Sequence, residues 1–253
     1  MSVLNRREAA ALALFFQRGA SAAPLTSDFP REDSQLAREV VGAAHTDLAK
    51  VQKLVEAHPS LVNAWWDWGF GDWESPLGAA SHVGRRPIAE YLLSKGARLD
   101  IFAATMLGMT DAVKAMVATQ PGIQKTWGPH CITLLAHAKA GGPQAAATLA
   151  YLESLGDAGV GPKIVPVSEE RKKMIVGKYE IGARPAEVKI APSGVLQLVV
   201  EGSPRNLFHK GEDVYFPSGV PSVGFRFEIK DGKSTGFAFL NPEPVAMAKR
   251  VAE

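Results

Sequence analysis

Apolar residues along this chain follow two periods, one helical and one alternating, with the change near residue 156. In the first part four segments align on one frame: VQKLVEAHP at 51–59, IAEYLLSKG at 88–96, VKAMVATQP at 113–121 and TLAYLESLG at 148–156. Each predicts about two turns of amphipathic helix with one apolar face, closed by a Pro or Gly stop. A shorter helix is predicted ahead of each, at 36–44, 76–81, 102–107 and 134–139. The frames begin at 51, 88, 113 and 148, in steps of 37, 25 and 35 residues, so the repeating unit is a pair of 60 to 62 residues.

Residues 157–173 are rich in Gly and Pro and then charged, which reads as a linker, with Ser168, Glu169 and Glu170 placed to start a short helix. Beyond it Val188 and Ile190, then Leu196, Leu198 and Val200, then Phe225, Phe227 and Ile229, then Phe237 and Phe239 alternate with polar neighbours. Turn signals separate them at 192–194, 201–204, 217–221 and Asp231-Gly232, the last a two-residue hairpin signal. Seven or eight strands over residues 174–252 are expected to form an antiparallel meander, curled into a half-barrel or small barrel.

The stretch SPLGAASHVGRRPIAEYLLSKGARLD, residues 75–100, resembles an ankyrin repeat. Ser75, Pro76, Leu77, Ala80, Gly84, Leu92, Leu93, Gly96 and Ala97 sit on that pattern; Gly78 and Arg98 depart from it, and the third unit lacks the T-P-L entry. The resemblance implies an α-solenoid of about four ankyrin-like repeats over residues 36–156, whose hairpin tips make a binding edge. GKYEIGARPAEVKI at 177–190, with LVVEG, VGFRFEIKDGK and FAFLNP further on, resembles the lipocalin-like β domain that trails many bacterial serine hydrolases of the β-lactamase class. The S-x-x-K nucleophile motif of those hydrolases is missing here, so the resemblance implies an accessory domain.

Composition adds location more than chemistry. The 253 residues are 46% hydrophobic and 21% charged, and beyond residue 25 there is no uncharged apolar run of the ~20 residues a bilayer demands. Residues 1–22 carry Arg6 and Arg7, an apolar core from Ala9 to Phe16 and an Ala20-Ser21-Ala22 end, the anatomy of a cleavable export signal resembling the bacterial twin-arginine type. A periplasmic or secreted location is therefore expected. Cleavage would take the net charge from +2 to about 0, which leaves no positive field for nucleic acid. The single cysteine, Cys131, excludes an intramolecular disulfide.

Candidate binding residues crowd two long connections. NAWWDWGFGDWES at 63–75 holds Trp65, Trp66, Asp67, Trp68, Asp72, Trp73 and Glu74, and QKTWGPHCIT at 124–133 holds Trp127 and His130. Clustered tryptophans in loops supply large rigid contact area at interfaces, or fold back to bury themselves under the loop. At 8 to 10 Å per stacked helix the two fingers are expected roughly 20 Å apart, with a groove between them. His82, His130 and His137, with Asp72 or Glu74, are the residue types of a metal or acid–base site, but no H-x-x-x-H or H-E-x-x-H spacing joins them. Arg85 adds a cation for an anionic partner. The expected function is a monomeric, non-enzymatic binding protein that holds a protein or peptide through these residues, without cofactor or metal. The alternative is a small-molecule site between the fingers or in the barrel.

Overall fold

Caps and stops written in the sequence divide the first half into short helices. In the protein's computed structural model, which describes residues 29–251, these are α1 (Ser34–Ala43), α2 (Leu48–Ala57), α3 (Pro76–His82), α4 (Arg86–Ser94), α5 (Ile101–Met106), α6 (Thr110–Thr119), α7 (Leu134–Ala140) and α8 (Ala146–Leu155). The side chains of Asp47, Ser75, Asp100 and Thr133 each accept a bond from a backbone N–H three residues on and so cap α2, α3, α5 and α7. The chain divides into two units, Met1–Gln35 and Leu36–Glu253. The expected export signal at residues 1–22 lies outside the described residues.

Helices α3, α5 and α7 pack on one another, while α2 packs on α4 and α6 on α8. Their facing sides bury Val51, Val55, Leu77, Ile88, Leu92 and Met106 in one cluster and Ile101, Val113, Leu134 and Leu152 in a second. Two very short strands, β1 (Trp66–Asp67) and β2 (Trp73–Glu74), make a hairpin between α2 and α3.

The second half is a closed barrel. Strands β3 (Gly177–Ile181), β4 (Arg184–Ile190), β5 (Leu196–Val200), β6 (Ser203–Gly211), β7 (Val214–Pro217), β8 (Gly224–Lys230), β9 (Lys233–Leu240) and β10 (Pro244–Arg250) pair antiparallel in sequence order, and β10 closes on β3 with Arg250 opposite Tyr179. Closure leaves no edge strand. Tyr179, Tyr215, Phe225, Phe227 and Phe237 fill the interior together with Ile175 from the end of α9 (Glu169–Ile175), whose N-cap is Ser168.

Two expectations are corrected here. The molecule is a mixed α/β structure whose dominant feature is the closed eight-stranded antiparallel barrel, and among the described residues there is no solenoid of ankyrin-like repeats. Helix pairs with Gly or Pro stops are what any layer of helical hairpins requires, so the pattern that suggested the repeat was not specific to it. In a solenoid each repeat touches only its neighbours; here the tip of the β1–β2 hairpin is committed to the barrel instead. Phe70, at φ 63°, stands edge-on to Phe225 with ring centres 5.5 Å apart and lies 5.9 Å from Phe239. The half-barrel alternative gives way to full closure.

Candidate functional site

The residues singled out in the sequence separate into two neighbouring places. Asp67 shapes the hairpin loop: its Oδ1 accepts from the backbone N–H groups of Gly69 (2.7 Å) and Gly71 (3.1 Å). That turn sends Trp65 and Trp73 outward, 54% and 55% exposed, while Trp66 and Trp68 turn back and pack against the helical core. Trp127, 38% exposed, joins Trp65 and Trp73 around a cleft of about 490 Å³ that Asn63, Arg98, Asp100, Phe102 and Pro129 also line. Trp127 is anchored there by its indole N–H, which donates to the Val160 carbonyl at 2.8 Å.

Beneath the cleft lies a charged cluster. Glu74, fully buried, is ringed by His45, His82 and His130. His82 Nε2 is 2.9 Å from Glu74 Oε1 and 3.2 Å from His45 Nε2; His45 Nε2 is 3.5 Å from Glu74 Oε2, and His130 Nε2 is 3.5 Å from Oε1. Trp68 Nε1 donates to Oε2 at 2.7 Å. Oε1 has no donor aligned for a hydrogen bond despite the two imidazoles beside it. His130 is held from behind by Asp72, whose carboxylate accepts from the His130 backbone N–H (3.0 Å) and from Nδ1 (2.7 Å), and which also takes Nη1 of Arg205 from β6 at 3.0 Å.

The electrostatics follow from this packing. Burial favours the neutral Glu74 acid, but polar contacts with His130 and His82 and the charges of His130 and His45 outweigh it and bring the pKa down to about 2. Burial likewise disfavours the His130 imidazolium, yet Asp72 and Glu74 raise its pKa to about 9. Asp72 is lowered below its usual range, against the effect of burial, by the same histidine and by Arg205. Burial and the Asp72 charge push the Cys131 thiol up to about 11, and its Sγ donates to the Gly219 carbonyl at 3.0 Å. It stays a protonated thiol.

The two fingers expected roughly 20 Å apart instead touch, through Asp72 and His130. The cause is local: His130 and Cys131 take left-handed backbone, φ 59° and 58°, which turns the 129–131 segment back onto the hairpin. Gly78, the departure noted in the helix-start motif, permits this, since a Cβ there would meet Pro129 Cγ at 3.2 Å. Gly219 of the barrel closes the site from the other side, at φ +89°, where a Cβ would stand 2.8 Å from Asp72 Oδ2.

Of the expected candidates, Trp65, Asp72, Trp73 and Trp127 line the cleft, while Trp68, Glu74, His82 and His130 build the cluster that Asp72 braces. His137, on α7, is buried behind the cleft wall, its ring 5.0 Å from that of Phe102 and against Gly128, and Arg85 is exposed and donates to the His45 carbonyl at 3.1 Å. His45 and Arg205 were not in the candidate set. His45 follows the end of α1, where its Nδ1 bonds the carbonyls of Val41 (3.1 Å) and Gly42 (3.2 Å), and nothing in the sequence points its other nitrogen at Glu74.

No protein-family model matches the chain, and no curated protein matches it. Among solved structures, similarity is found to a crystal structure of SurE with D-Leu, 24% identical over 45% of this chain and 28% of that one, with a TM-score of 0.28. A crystal structure of SurE is 19% identical over 71% of this chain and 49% of that one, also at 0.28. The matches span less than half the length of either SurE chain, and a likeness at this level places neither fold nor chemistry. The ankyrin and lipocalin-like resemblances receive no support from these comparisons.

Proposed function

We propose that this is a non-enzymatic binding protein that takes a compact, ring-bearing ligand into the cleft between Trp65, Trp73 and Trp127. The observation that carries the reading is the convergence of three substantially exposed tryptophans, from two separate connections, on one cleft of about 490 Å³. Exposed indoles ordinarily find cover, and a volume within the ~300 to 1,000 Å³ typical of small-molecule sites suits a ligand with a flat, partly apolar face, such as a sugar or aromatic ring. Arg98 and Asp100 at the same cleft supply charges of opposite sign for its polar substituents. Among the described residues no helix is long and apolar enough to cross a membrane.

The test is a screen of sugars and aromatic metabolites read by tryptophan fluorescence. A binder should saturate the native chain and weaken at least 10-fold in Trp73→Ala and in Trp127→Ala, with the melting temperature of Trp73→Ala within about 2 °C of the parent, as expected for a position more than half exposed. A binder that ignores both substitutions sinks the reading. Capture of a protein or peptide by the same rings is the second reading, favoured by Trp65 and Trp73 standing at the rim more than half exposed. It is distinguished by a partner that Trp65→Ala releases and that no compact ligand displaces.

A further inference from the structure

We propose that His45, Glu74, His82 and His130 form a binding site for one divalent first-row transition cation of the zinc class. Their ligand atoms all lie within 4.8 Å of one another. With Glu74 Oε1 as the carboxylate donor, the spacings His82 Nε2–Oε1 of 2.9 Å, His82 Nε2–His45 Nε2 of 3.2 Å and His130 Nε2–Oε1 of 3.5 Å lie around the ~3.3 Å edge of a tetrahedron with metal–ligand bonds of about 2.0 to 2.1 Å.

The donors are also oriented for a cation. Carbonyl oxygens only accept, so the contacts of His45 Nδ1 with Val41 and Gly42 put its proton on Nδ1 and leave the Nε2 lone pair facing the cluster. The Asp72 carboxylate holds the His130 Nδ1 proton, the carboxylate–histidine–metal arrangement that orients such ligands, and a cation takes the place of the proton on Nε2. His45 Nε2 and His82 Nε2 then face each other at 3.2 Å, and Glu74 Oε1 is buried with no aligned donor. A buried oxygen with no aligned donor, ringed by imidazole nitrogens whose protons a metal ion displaces, is what a cation satisfies. Trp68 holds the other carboxylate oxygen and so fixes the Glu74 plane.

Imidazole and carboxylate donors suit zinc, with copper, nickel and cobalt as competitors by intrinsic affinity. Cys131 contributes no sulfur, because its thiol is turned to Gly219. An opening lined by His45, Trp68, His130, Ser203, Arg205 and Asn206 gives the ion a way in. Four protein ligands from four separate segments make the site structural in type: the ion ties the turn after α1, the hairpin, the end of α3 and the 129–131 turn together under the cleft.

The test uses the full chain stripped with chelator and titrated with Zn²⁺ or Co²⁺ alone. The expected result is one equivalent bound per chain, a rise in melting temperature, and the intense visible absorption of tetrahedral Co²⁺. Affinity should fall at least 100-fold in His45→Ala and His130→Ala, both partly exposed positions, and in Glu74→Gln. X-ray absorption of the zinc-loaded native chain should give a shell of three imidazoles and one oxygen, a readout independent of whether any variant folds. Substoichiometric zinc, a shell of another composition, or folded variants that bind as tightly as the parent would overturn the proposal.

Discussion

His137 shows how a single side chain records its surroundings. It lies fully buried on α7, its Nδ1 donating to the Thr133 carbonyl at 2.9 Å, its ring 5.0 Å from that of Phe102, and its Nε2 unpaired. Burial keeps it neutral and depresses its pKa from 6.5 to about 4, with the His82 charge acting the same way against the Thr133 bond. Between those two values the unfolded chain binds a proton that the folded chain refuses, so stability rises with pH across the window. The contribution is complete above pH 6.5 and is lost as pH falls towards 4, at ~1.4 kcal/mol per unit and about 3 kcal/mol at most. Denaturant midpoints measured from pH 7 to 4 should therefore fall more steeply in the native chain than in His137→Leu. Parallel curves would show that this histidine is not excluded from protonation by the fold.

At the scale of elements the β1–β2 hairpin is the most exacting. Strands of two residues each do not stand alone in water. What holds them is the loop, where the Trp68 N–H donates to the Asp72 carbonyl at 3.0 Å, and the placement of Phe70 among Phe225 and Phe239. Phe70→Ala is expected to cost about 2 to 3 kcal/mol by vacating that position, measured as a lowered denaturant midpoint. It should also raise hydrogen exchange in residues 66–74, and a midpoint unchanged from the parent would remove Phe70 from the account.

Here too the reach of the sequence is visible. Segments such as 88–96 and 148–156 announced α4 and α8, because an apolar stripe and a Gly stop are local facts. Asp231-Gly232 announced the β8–β9 turn, where both residues take positive φ. The alternation of Phe225, Phe227 and Phe237 announced strands facing a core, but not whether the sheet closes, which rests on pairing between β10 and β3 across nearly the whole barrel sequence. The hairpin misled for the same reason: WWDWGFGDW reads as a projecting finger until the rings that receive Phe70, some 150 residues later, are in place. His45 and Glu74 meet only through the packing of α1 against the hairpin, so the charged cluster had no sequence spacing to betray it.

Taken whole, Leu36–Glu253 is one unit in which residues far apart in sequence bridge the helices and the barrel. Arg205 of β6 donates to Asp72 at 3.0 Å and to the Trp68 carbonyl, and Val165 pairs with His209 ahead of α9. The Arg205–Asp72 pair is largely buried on both sides, so its removal leaves a buried carboxylate without a cation rather than trimming a surface charge. These bridges predict a single cooperative transition. All five tryptophans lie between residues 65 and 127, so tryptophan fluorescence reports the helical side alone, and amide exchange of β3 to β10 reports the barrel. In the native chain the two signals should lose structure at the same denaturant concentration, as a two-state unit requires. Combining Arg205→Ala with Phe70→Ala removes both the charged and the aromatic bridge, and should separate the transitions, with fluorescence lost first because the barrel closes on itself without the hairpin. Two transitions already present in the native chain would mean that the helices and the barrel are stable apart, and that the bridges set their orientation without joining their folding.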